Sequence, residues 1–72
     1  MDTLLRAAHD PGYKKLSNFV ITIRHRGAPN DEKKIDGSRI SNVQKDGFWY
    51  INLQNEEIFI PAHRIIKLEE VT

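Results

Sequence analysis

Alternation of apolar and polar positions dominates the chain from residue 19 onward. In FVITIRHR (19–26), Phe19, Ile21, Ile23 and His25 share one face, and Val20, Thr22, Arg24 and Arg26 the other. That period of two, with β-branched residues, is the signature of a strand. GFWYINLQ (47–54) repeats it, with Phe48 and Tyr50 on one face and Trp49, Ile51 and Leu53 on the other. Both faces are apolar, which predicts a central strand. RISNVQ (39–44) is a weaker strand, and KDG (45–47) opens a hairpin. NEE (55–57) turns the chain into IFI (58–60). The pattern breaks at PAHR (61–64) and resumes in IIKLEEV (65–71), whose alternation points Ile66 and Leu68 inward and Lys67 and Glu69 outward. GAPND (27–31) and DGS (36–38) are turns, and KKI (33–35) between them is at most a short edge strand. Ahead of all this, DTLLRAA (2–8) favours a short helix capped by Asp2 or Thr3, which Pro11 and Gly12 bring to a stop. No repeat, low-complexity tract or linker is visible.

One short helix and five short strands joined by tight turns predict a single α+β domain over 1–72. The expected form is a strongly bent five-stranded antiparallel sheet closing toward an SH3-like small barrel, with the helix over one opening. In such barrels a single helical turn joins the last two strands. Pro61 suits the start of that turn, with Ile60 and Ile65 anchoring its ends.

Composition narrows the picture. A chain of 72 residues buries only roughly 60% of its unfolded surface, so the core must come from a few large side chains. The candidates are Phe19, Phe48, Trp49, Phe59 and nine isoleucines. The absence of cysteine removes disulfides and thiolate metal sites. MDTLLRAAHD has no long apolar run, so neither a signal peptide nor a membrane span is expected, and the expected location is cytoplasmic. Eleven Lys and Arg against ten Asp and Glu leave a net charge of +1. Binding to nucleic acid through bulk charge is not favoured, and any such binding must come from local clusters.

Two basic clusters stand out: Arg24-His25-Arg26, followed by Gly27, and His63-Arg64 at the strand break. Lys33, Lys34 and Arg39 join the first if the loop folds toward it. Arginine matches two phosphate oxygens with a planar fork, histidine donates or accepts near neutral pH, and glycine lets a ligand approach the backbone. The plainer account stands beside this one. Arg24 is a solvated charge, His25 a hydrogen-bonded residue of the core face, and His63 and Arg64 cap a turn and pair with Glu69 or Glu70. Trp49 and Tyr50 raise base stacking, although Trp49 in so apolar a strand suits the core better. His9, His25 and His63 lack metal-ligand spacing. No cofactor motif or catalytic set is present. Cleavage of RNA by His25 and His63 is conceivable, but no residue spacing singles it out.

ITIRHRGAPNDEKKIDGSRISNV and IFIPAHRIIKLEE resemble a small, largely archaeal family whose name describes an RNA cyclic-group end recognition domain. That family shows an HRG-type element after its first strand, matched by His25-Arg26-Gly27. It also shows a YIP-x-HRI element near its end, matched by Phe59-Ile60-Pro61-Ala62-His63-Arg64-Ile65. Its usual Trp-Asp-Pro stretch is His9-Asp10-Pro11 here. The resemblance implies a domain of RNA processing or repair that reads a 2′,3′-cyclic phosphate, and the leading expectation is a non-catalytic binding module. His25, Arg26, Gly27, His63 and Arg64 would make the site, with Lys34 and Arg39 as further phosphate contacts. Two alternatives remain: a protein-interaction or homodimerisation module using IIKLEEV as a free edge, and a histidine-dependent phosphodiesterase. No membrane partner is expected.

Overall fold

The computed structural model describes residues 2–10 and 12–71. Helix α1 (Asp2–His9) precedes six strands: β1 (Phe19–Arg24), β2 (Glu32–Asp36), β3 (Ile40–Gln44), β4 (Gly47–Ile51), β5 (Glu57–Pro61) and β6 (Ile65–Glu70). Four 3-10 turns punctuate them: η1 (Leu16–Asn18), η2 (Pro29–Asp31), η3 (Gly37–Arg39) and η4 (Ala62–Arg64). The strands form two antiparallel three-stranded sheets, ordered β2-β1-β6 and β3-β4-β5. The domain is therefore α+β, but not the single five-stranded sheet closing into an SH3-like barrel that the pattern predicts. Among the described residues no ladder joins β2 to β3 or β5 to β6. The reason lies at η3 and η4, each of which turns the chain so that the next strand enters the other sheet. The added strand is β2, where lysines typical of a sheet edge flank the buried Ile35. The helical turn expected at PAHR is present as η4. The expected helix stop at Pro11 and the Asp2 side-chain cap lie outside the described residues.

The arrangement repeats itself within the chain. β1–β2–η3–β3 is followed by β4–β5–η4–β6, and each hairpin receives its third strand from the other half. The first hairpin pairs Val20 with Asp36, Ile21 with Ile35, Thr22 with Lys34, Ile23 with Lys33 and Arg24 with Glu32. The second pairs Gly47 with Pro61, Phe48 with Ile60, Trp49 with Phe59, Tyr50 with Ile58 and Ile51 with Glu57, in the same order. Even the bulges correspond. Ile66 is skipped between Ile65 and Lys67 in β6, and Ser41 between Ile40 and Asn42 in β3.

The inner faces of both sheets meet in one core of Leu4, Phe19, Ile21, Ile23, Ile35, Val43, Phe48, Tyr50 and Ile60. Helix α1 docks on β3 and η1, held by Leu4 and by His9, whose Nε2 donates to the Val43 carbonyl at 3.2 Å. The bulge changes the predicted facing of β6: Ile65 and Leu68 pack on the core, while Ile66 is 45% exposed. Strand β4 ends at Ile51, before the expected 54, so Leu53 falls in a turn and is 88% exposed.

Candidate functional site

Strand β1 stops at Arg24, which takes His25 out of the alternation that would have buried it. His25, Arg26 and Gly27 form an exposed turn, stitched by its own backbone. The His25 N–H donates to the Asp31 carbonyl at 2.7 Å, Ala28 N–H to His25 at 3.1 Å and Asp31 N–H to Ala28 at 2.8 Å. Gly27 adopts φ +93°, and beyond its chain neighbours no described atom lies within 4 Å of where its Cβ would stand. An L side chain would be strained there, and glycine leaves the backbone open to solvent. With these backbone groups paired internally, the side chains of Arg24, His25 and Arg26 point outward, exposed. Arg24, Arg26 and Asp31 line a shallow hollow of about 120 Å³.

Turn η4 reaches the same place. Arg64 donates from Nε at 3.1 Å and from Nη2 at 2.8 Å to the carbonyl of Arg24. Arg64 thus ties the two basic clusters together at one end of the fold, and His63, its neighbour in the chain, is exposed. Arg64 first serves as a clamp, spending two of its five N–H donors on backbone. It does not pair with Glu69 or Glu70, whose carboxylates meet Lys67 at 3.5 Å and Lys14 at 2.7 Å.

Lys34 and Arg39 do not belong to that end. Arg39 sits in η3 as Arg64 sits in η4, and donates from Nε to the Ile51 carbonyl at 2.8 Å and from Nη2 to Asn52 at 2.9 Å. It clamps the end of β4 as Arg64 clamps the end of β1. Lys33, Lys34, Arg39, Tyr50 and Leu53 help line a separate and larger cleft of about 260 Å³. There Lys33 Nζ donates to Tyr50 Oη at 3.2 Å. Asp36 caps η3 by accepting the Ser38 N–H at 2.9 Å, and that bond, with Arg39 nearby, holds its carboxyl below the usual 3.8.

Trp49 does not take the core place expected of it. Tyr50 lies in the core, while Trp49 pairs with Phe59 on the outer face of its sheet, both half-buried, ring centroids 5.2 Å apart. The strand alternation carried the signal, because Phe48 and Tyr50 inward require Trp49 outward. Among the described residues no cluster of His, Asp or Glu could hold a metal, and no helix is long and apolar enough to cross a membrane.

Fold and site together define a small two-sheet α+β domain with an exposed basic end. A UPF0248 protein of Methanococcus maripaludis (strain C6) is 40% identical over 58 residues, spanning 81% of this chain and 67% of that protein. The chain belongs to the UPF0248 family of uncharacterised archaeal proteins. No family model and no solved structure matches it.

Proposed function

We propose that this chain is a non-catalytic RNA-binding module of the cytoplasm that reads a phosphate-bearing end, a 2′,3′-cyclic phosphate, in RNA processing or repair. The observation that carries this reading is the Arg64 clamp on the Arg24 carbonyl. It ties η4, which carries His63, to the end of β1, where the open His25-Arg26-Gly27 turn begins. In this reading Arg24, Arg26, His25 and His63 face the ligand, and Arg64 holds the frame. With a net charge of +1, the module neutralises few phosphates. Three or four contacts to a single strand give a log–log salt slope of about −2 to −3.

The test is binding of a short RNA ending in a 2′,3′-cyclic phosphate against the same RNA ending in a diol, at two salt concentrations. The Arg26→Ala, His63→Ala double variant runs alongside, because neither side chain holds the fold. Preference for the cyclic end, lost in the variant, supports the reading. Equal affinity for both ends sinks it.

A second reading, a protein-interaction module, draws on β6. It is an edge strand, its bulge exposes Ile66, and Val71 beyond it is 55% exposed. Concentration-dependent association in sedimentation, abolished by Ile66→Lys, would favour it.

A further inference from the structure

We propose that the outer face of the β3-β4-β5 sheet is a stacking platform for unpaired bases of single-stranded RNA, with Trp49 and Phe59 as its rings. This deepens the RNA-binding reading above and rests on it.

The internal repeat supplies the argument. At the positions where this sheet carries Trp49, Phe59, Ile51 and Asn42, its counterpart carries Thr22, Lys34, Arg24 and Lys67. The architecture is satisfied by a small hydroxyl and charged side chains, so it does not require aromatic rings there. A Cβ on Gly47 would overlap the Ile60 carbonyl oxygen and lie 2.6 Å from Phe59 Cζ, so the backbone of β5 and the ring both need that position bare, whereas the counterpart of Gly47 is Val20. The bare backbone lets the Phe59 ring lie down over β4 against Trp49, at an interplanar angle of 54°.

Size and surroundings select the occupant. A buried aromatic side chain covers about 150–250 Å², and these two are partly buried, so each shows at most about 50–90 Å². A stable protein interface needs about 800 Å² per partner, far more than this pair offers, whereas the face of one base fits a ring. Exposed amides at Asn42 and Gln44 rim the platform on β3, and such groups pair with base edges. At its other side β5 runs through Pro61 into η4, where His63 stands at the basic end. A strand whose terminal phosphate occupies that end would lay its preceding bases on the platform.

Trp49 is the sole tryptophan, so its emission reports on the platform directly. The experiment titrates wild-type protein and Phe59→Leu with two uridine-rich RNAs, one covalently closed and one linear with a 2′,3′-cyclic phosphate. Labelled-RNA anisotropy measures binding independently. The expected result is quenching of Trp49 by both RNAs, and binding to Phe59→Leu weakened about fivefold to a hundredfold, as loss of one stacked base implies. Quenching by the closed RNA without preference for the cyclic end supports the platform and overturns the end-reading function. Preference for the cyclic end with unchanged emission and an indifferent Phe59→Leu overturns the platform and leaves the end-reading function standing. Absence of binding to either RNA overturns both. Self-association that Phe59→Leu abolishes overturns the platform in favour of a protein interface.

Discussion

The halves β1–β2–η3–β3 and β4–β5–η4–β6 share register, bulge and corner clamp, yet present different chemistry to solvent. Both corners carry the same isoleucine anchors, Ile35 and Ile40 in one and Ile60 and Ile65 in the other, and both place an arginine on a strand-end carbonyl. What the halves share is framework. Three of their differences bear on the solvent face: the seven-residue turn 25–31 against the shorter 52–56, His63 against Ser38, and the aromatic pair against Thr22 and Lys34. The comparison therefore divides the His63-Arg64 pair. Arg64 has a counterpart doing the same work at the opposite corner, and His63 has none.

The hardest strain on this comparison comes from Gly37 and its counterpart Ala62. A Cβ on Gly37 would overlap the Leu16 carbonyl oxygen and crowd that of Phe19 at 2.8 Å, so the side of η3 facing η1 admits no methyl group. Gly37→Ala should cost about 3 kcal/mol or more, and Ala62→Gly about 1 kcal/mol or less, read as shifts of the urea midpoint. Similar costs at both positions would mean that the contact with η1 does not set the two corners apart. Next in size, Arg39→Ala and Arg64→Ala should each destabilise by about 1–2 kcal/mol. Their sum should hold within about 0.5 kcal/mol in the double variant, since they share no partner. Arg64→Lys keeps the charge and loses the fork, so it should recover little.

Thr22, the counterpart of Trp49, is buried at 3% exposure, and its Oγ1 has no partner among the described residues. Thr22→Val should therefore stabilise the fold, by about 1 kcal/mol, because it removes an unpaired buried hydroxyl. A loss of stability would reveal a partner for that oxygen. The smallest effect belongs to Asp36, which caps η3 where η4 has Pro61 and no side-chain cap. Its folded pKa lies below 3.8, so its contribution is full above that value and fades as pH falls through the folded one. Asp36→Asn should flatten the decline in thermal midpoint below pH 4, and a slope equal to wild type would remove the cap from the account.

Much of the framework was legible in the residues. FVITIR and GFWYI are strands because their alternation is strict, KDG turns a hairpin, and the helical turn at PAHR follows from Pro61 between two isoleucines. Three features escaped for physical reasons. A bulge shifts alternation by one residue without any mark in composition, which turned Ile66 outward. Strand ends depend on tertiary pairing, so His25 and Leu53 left the strands that their pattern assigned them. The repeat itself stayed hidden because sheets demand a periodicity and not an identity. Across segments 32–44 and 57–69 only Glu32/Glu57, Ile35/Ile60, Arg39/Arg64 and Ile40/Ile65 agree. The basic clusters were visible as residue types. Their meeting was not, since it depends on a guanidinium bonding a carbonyl 40 positions away.

The exchange of third strands between the halves also governs how the chain can fold. Neither hairpin alone has a sheet to join, and a lone two-stranded hairpin is marginal in water. Strand β1 must find β6 across most of the sequence before its sheet exists, and β4 and β5 gain their buried face only when that sheet is in place. Assembly is then all-or-none, slow for so short a chain because its decisive contacts are distant in sequence, and without a stable half-folded species. Urea unfolding followed by tryptophan emission and by far-ultraviolet circular dichroism should give superimposable transitions.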